Sequence, residues 1–250
     1  MSKVFTSAAQ RIMVALDVDE LEQARELAEE LKGLGITFKI GNQLGTYEGW
    51  KAAVEFAHSY EAQIFCDTKF KDIPTTVEKS SKAITRRQPE FFNIMADNNL
   101  EALKAAVRGI DTAVEEFGLA ERPILLGVTV LTSISEQESE DIYGGVPSGK
   151  VLQFAKNAAE AGLDGIVCSA QEVQLLRSDP VTKDLLLVTP GIRPEWAAAN
   201  DQSRIITPSQ AVKDGSDYLV IGRPITQPPE EVGSPREAVL RIIKELEEVK

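Results

Sequence analysis

The chain has 250 residues, 43% hydrophobic and 26% charged, ordinary proportions for a soluble globular protein with a full core. Its net charge of −12 disfavours general binding to nucleic acid or anionic membrane, while allowing one small anionic ligand held by a few focused cations. A single histidine, His58, and two isolated cysteines, Cys66 and Cys168, argue against a histidine-based triad, a metal cluster or a disulfide framework.

The N-terminal stretch MSKVFTSAAQR has no apolar region of the kind found in signal peptides, so residues 1–10 read as an N-terminal extension of a cytoplasmic protein. No run approaches the roughly 18 apolar residues of a membrane span. Apolar, β-rich runs then recur at 11–18, 37–41, 63–69, 91–95, 124–131, 165–169, 185–191 and 218–222. Between them lie amphipathic helical patterns, as at 20–35, 150–162 and 234–249. Gly35 and Gly162 stand where helices are expected to stop, and Ser234-Pro235 reads as an N-cap followed by proline at the first helical position. Pro208 and Gly215 bracket a short helix, and His58 falls on a helix surface. Both cysteines sit in apolar strand runs and are expected to be buried thiols.

Eight strands alternate with roughly eight helices, and their near-continuous apolar character is that of strands buried on both faces. The expected fold is a (β/α)8 TIM barrel, one domain over 1–250. A doubly wound open sheet is the competing arrangement. It lacks support because no G-x-G-x-x-G follows the first strand.

In such a barrel the chemistry sits at the C-terminal ends of the strands. Asp17 ends the first strand and Lys39 lies on the second. The third carries Asp67 and Lys69, with Asp72 just beyond. Residues two apart on a strand share a face, so Asp67 and Lys69 are expected to point the same way, with Lys39 in reach from the adjacent strand. Alternating charges of this kind keep one another ionised. The set reads either as an ion-pair network at a barrel rim or as a device for placing charge against a substrate. The loops after strands seven and eight read TPGIRP and IGRP. There Pro190, Arg193, Gly222 and Arg223 combine close backbone approach with guanidinium forks suited to phosphate.

Five segments in order, CDTKFKDIPTT, VTVLTS, LVTPGIRP, DQSR followed by TPSQA, and YLVIGRPI, resemble orotidine 5′-phosphate decarboxylase across residues 17–225. The resemblance implies decarboxylation of orotidine 5′-monophosphate to UMP in pyrimidine biosynthesis, without cofactor or metal. It makes Lys69 the acid that protonates C6, sets Asp67 against the departing carboxylate, and has Lys39 hold Asp67 and meet the ribose. It also implies a homodimer in which Asp72 and Thr76 enter the neighbouring site. Asp17 is then expected at the ribose, and Thr132 and Ser133 near the base. Gln202, Gly222 and Arg223 are expected at the phosphate, with Arg193 beside them.

The chain departs from the family pattern after strand four. There NIMADNNLEA (93–102) has Met95 where relatives carry a histidine, and no glycine pair follows. The loop PEWAAAND (194–201) differs too, and Lys71 is expected to be a surface residue. Two other functions stay open. One is a metal-dependent sugar-phosphate decarboxylase or aldolase of the same superfamily, disfavoured by Lys39 standing where an acid would be needed. The other is a non-catalytic nucleotide-binding barrel.

Overall fold

A computed structural model describes residues 5–197 and 206–249. Its strands are β1 (Ile12–Ala15), β2 (Thr37–Ile40), β3 (Gln63–Phe70), β4 (Phe91–Met95), β5 (Ile124–Val128), β6 (Gly165–Val167), β7 (Leu186–Pro190) and β8 (Tyr218–Ile221). They follow one another in sequence order around a closed parallel barrel, as the alternation of elements predicts. Every residue of β1 and β8 is buried, the state expected of strands covered on both faces.

The helices are α1 (Leu21–Leu31), α2 (Asn42–Glu48), α3 (Trp50–Ser59), α4 (Pro74–Thr85), α5 (Leu100–Phe117) and α6 (Glu136–Tyr143). They continue as α7 (Pro147–Ala161), α8 (Val173–Ser178), α9 (Pro208–Asp214), α10 (Arg223–Thr226) and α11 (Pro235–Glu247). The count exceeds the sequence expectation because α2, α6 and α10 are short helices in segments that follow strands.

Contacts group the chain into two units, 68–188 and 2–67 with 189–250, whose boundaries fall inside β3 and β7. In the second unit, Ser234 and Glu237 form a reciprocal capping box at α11, with Pro235 as its first residue. Thr207 caps α9, whose end is set by Gly215 at φ 112°. Helix α1 ends at Leu31 rather than at Gly35: Lys32 already turns extended, and Gly33 and Gly35, both at positive φ, carry the chain into β2. Residues 5–10, read from the sequence as an extension, pack on β8. The Phe5 ring meets Tyr218 edge-on at 5.2 Å, the Arg11 guanidinium lies 4.0 Å above it, and Arg11 donates to the Asp217 carbonyl. His58 is exposed on the last turn of α3.

In the first unit, α4 and α5 approach closely at Gly109. A Cβ there would lie 2.2 Å from the Glu78 carbonyl oxygen, so only glycine fits. Helix α7 ends at Gly162 in the left-handed conformation, as its position predicts. Cys66 and Cys168, one in each unit, are buried thiols outside any disulfide. No helix among the described residues is long and apolar enough to cross a membrane.

Candidate active site

The register of the first strands builds the core of the site. Ala15 pairs with Lys39, and Lys39 with Phe65, so the three form one row across β1, β2 and β3. Asp17 and Asp67 each stand two residues beyond that row, one on either side of Lys39. Period-two alternation gives Asp67 the face of Phe65. A lysine stem extended toward the strand ends therefore arrives between two carboxylates. Lys39 Nζ lies 3.0 Å from Asp67 Oδ2 and 3.6 Å from Asp17 Oδ1. The Lys39 and Asp67 side chains are only 14% and 9% exposed, whereas that of Asp17 is 62% exposed. Burial acts most strongly on Lys39 and favours its neutral form. The two carboxylates together outweigh it and hold the ammonium above the ordinary lysine range. The sequence placed Lys39 beside Asp67; it did not reveal the ion pair with Asp17, which lies two residues past the end of β1.

A cavity of about 610 Å³ opens beside Asp17, on the side of β7 and β8. Its walls bring together four of the sequence-predicted residues, Asp17, Arg193, Gly222 and Arg223. Gly222 precedes α10 and Arg223 is its first residue, so the Arg223 backbone directly follows the end of β8. The Arg193 backbone is fixed by its N–H donating to the Ile206 carbonyl at 3.1 Å. Pro190 closes β7 but is not among the cavity walls, where Gly191 and Ile192 stand instead. Gln202 falls outside the described residues. Trp196 and Gln227 also line the cavity, and sequence reasoning missed both. Trp196 lies in the 194–201 segment already singled out as a departure. Its buried indole N–H has no hydrogen-bond partner among the described residues.

The remaining predicted residues lie in the other unit. Lys69 is half-buried, and its φ of 50° breaks the extended geometry of β3. The same-face rule that joined it to Asp67 therefore does not fix its direction. The Lys69 N–H donates to Asn93 Oδ1 at 2.7 Å. Lys71 is exposed, as expected, and its ammonium pairs with the largely buried Asp97 carboxylate at 2.5 Å. Asp72 is exposed and accepts from the Ile73 N–H, immediately before α4. Thr76 is exposed on the first turn of that helix. Thr132 and Ser133 occupy an exposed turn, because β5 ends at Val128, three residues short of the predicted limit.

A family profile described as "Orotidine 5'-phosphate decarboxylase / HUMPS family" matches residues 10–239. The orotidine 5'-phosphate decarboxylase of Syntrophomonas wolfei is 40% identical over 244 residues, covering 96% of this chain and 99% of that protein. The enzyme of the same name from Geotalea daltonii is 41% identical over 240 residues, with coverage of 96% and 97%. Among solved structures, the orotidine 5'-phosphate decarboxylase of Lactobacillus acidophilus superposes with a TM-score of 0.79 at 32% identity, covering 95% of this chain and 99% of that one. An uncharacterized conserved protein from Geobacillus kaustophilus superposes with the same TM-score at 29% identity. With nearly its whole length matched by the family profile and by relatives of about 40% identity, the chain belongs to the orotidine 5'-phosphate decarboxylase / HUMPS family.

Proposed function

We propose that the protein decarboxylates orotidine 5′-monophosphate to UMP in pyrimidine biosynthesis, as a cytoplasmic homodimer. The observation that carries this reading is the likeness, over nearly the full length of both chains, to curated relatives bearing that enzyme's name. Loss of CO2 from C6 leaves an electron pair in the plane of the pyrimidine ring, where the ring π system cannot delocalise it. Positive charge must stand beside C6 before the bond breaks, and fixed charge of this kind is often the largest catalytic contribution. Lys69 supplies that charge and then the proton, which forms the new C6–H bond. Asp67, held by Lys39, faces the departing carboxylate. Asp17, on the cavity wall and ion-paired to Lys39, meets the ribose. Arg193, Gly222, Arg223 and Gln202 receive the phosphate, Pro190 shapes the turn beneath it, and Thr132 and Ser133 meet the base. Phosphate binding is remote from C6, and its energy serves the reaction by aligning the ring.

Asp72 and Thr76 complete the site of a second copy. The exposed apolar side chain of Ile73, 65% accessible between them, supports an interface there. The family description also names a second branch, HUMPS, and a metal-dependent sugar-phosphate reaction is the alternative to separate experimentally. Lys39 argues against it. Asp17 and Asp67 already share one ammonium, which a divalent ion bound by those carboxylates would have to displace. Turnover of orotidine 5′-monophosphate with and without EDTA, in wild type and Lys69→Ala, tests the proposal.

A further inference from the structure

Three non-glycine residues among those described have positive φ: Glu61, Lys69 and Gln88. Glu61 and Gln88 are exposed and sit just past the ends of α3 and α4, where a left-handed residue ordinarily closes a helix. Lys69 is different. It lies within a strand, where a long side chain in this conformation persists only if its surroundings over-determine it.

Those surroundings are two asparagines. Leaving extended geometry takes the Lys69 N–H and the Phe70 carbonyl out of a regular ladder, and both then need partners. Asn93, on β4, serves the first with its side-chain oxygen at 2.7 Å, while its main-chain carbonyl accepts from Thr68 Oγ1 at 2.5 Å. Asn98, in the turn after β4, donates from Nδ2 to the Phe70 carbonyl at 3.1 Å and to the Met95 carbonyl at 2.8 Å. Asn93 is 1% and Asn98 7% exposed, so water does not compete for these bonds. The Lys71–Asp97 ion pair ties down the next residue. Residues 68–71 are thus held one after another by the segment 93–98, part of the stretch that departs from the family pattern.

We propose that Asn93 and Asn98 are positioning residues that clamp the backbone of Lys69 in its left-handed conformation and so aim its ammonium. The inference rests on the reading of Lys69 as the acid. The two amides act in opposite senses: Asn93 accepts from the Lys69 N–H, and Asn98 donates to two carbonyls. The same Asn→Asp change therefore has opposite consequences. Asn93→Asp keeps the acceptor, whereas Asn98→Asp sets a carboxylate against two carbonyl oxygens.

The test measures kcat for orotidine 5′-monophosphate, Kd for UMP and the crystallographic φ of Lys69 in Asn93→Ala, Asn93→Asp and Asn98→Asp. Misplacement of a reacting group predicts that Asn93→Ala and Asn98→Asp lose roughly tenfold to a hundredfold in kcat, with UMP affinity nearly unchanged. Asn93→Asp recovers most of what Asn93→Ala loses. Should Asn93→Ala fail to fold, Asn98→Asp in the turn carries the test. Retention of positive φ at Lys69 in Asn98→Asp, or its loss with kcat intact, overturns the proposal. If the wild type does not turn over the nucleotide, the functional reading fails, while the φ of Lys69 in the variants still decides whether the clamp exists.

Discussion

Lys39 Nζ and Asp67 Oδ2 stand 3.0 Å apart with both side chains largely shielded from water, and they tie β2 to β3. Deleting one member of such a pair strands the other charge, which typically costs about 3 kcal/mol or more, whereas removing both can be nearly neutral. Lys39→Met is therefore expected to lower the unfolding free energy by about that amount, measured by urea denaturation. The double variant Lys39→Met/Asp67→Asn should regain most of the stability and none of the activity. Recovery of activity in the double variant would mean that the pair only holds the rim together.

The same pair sets a dependence on pH. The Lys39 ammonium is held above its ordinary value of 10.5, so the folded state binds this proton more tightly than the unfolded chain. Its contribution is complete below pH 10.5 and is lost as the pH rises through the higher folded value. The stability difference between wild type and Lys39→Met should accordingly be flat from neutral pH to 10.5 and shrink above it. A difference that grows with alkalinity would contradict the assignment.

Arg223 lines the cavity and is its proposed phosphate contact. A charge-assisted hydrogen bond is worth about 1.5–3 kcal/mol, so Arg223→Ala should lose roughly tenfold to a hundredfold in kcat/KM. Its pH profile should keep the wild-type shape, because the group does not take part in proton transfer. Equal kcat/KM in variant and wild type would remove Arg223 from the site.

The two-copy arrangement has its own signature. Lys69→Ala and Asp72→Ala protomers are each expected to be inactive alone. If Asp72 serves the neighbour's site, a mixed dimer contains one intact site. After subunit exchange, random pairing then restores about a quarter of wild-type activity. A mixture as inactive as its components would place Asp72 and Lys69 in the same copy's site.

Much of the barrel could be read from the sequence, because its strands are apolar throughout and its helices are amphipathic. The junctions at Gly162, Thr207 to Gly215, and Ser234-Pro235 carry capping chemistry that depends only on neighbouring residues. Helix α6 was missed although Ser135 and Glu138 form a capping box, because its face is mostly polar and gives no periodic signal. Asp67 and Lys39 could be placed together from strand adjacency. The Asp17–Lys39 contact needed the β1–β2 register, which no local pattern encodes. The left-handed backbone at Lys69 was illegible for a similar reason. It is imposed by Asn93 and Asn98, more than twenty residues away, and β3's own residues favour extended geometry.

The most direct test of the central claim follows the ultraviolet loss of orotidine 5′-monophosphate with purified protein, with and without EDTA, in wild type and Lys69→Ala. The expected result is rapid turnover that EDTA leaves unchanged and that collapses in the variant, while UMP binding survives. A folded wild type that binds UMP without turnover, or activity on a sugar phosphate that EDTA abolishes, would contradict it.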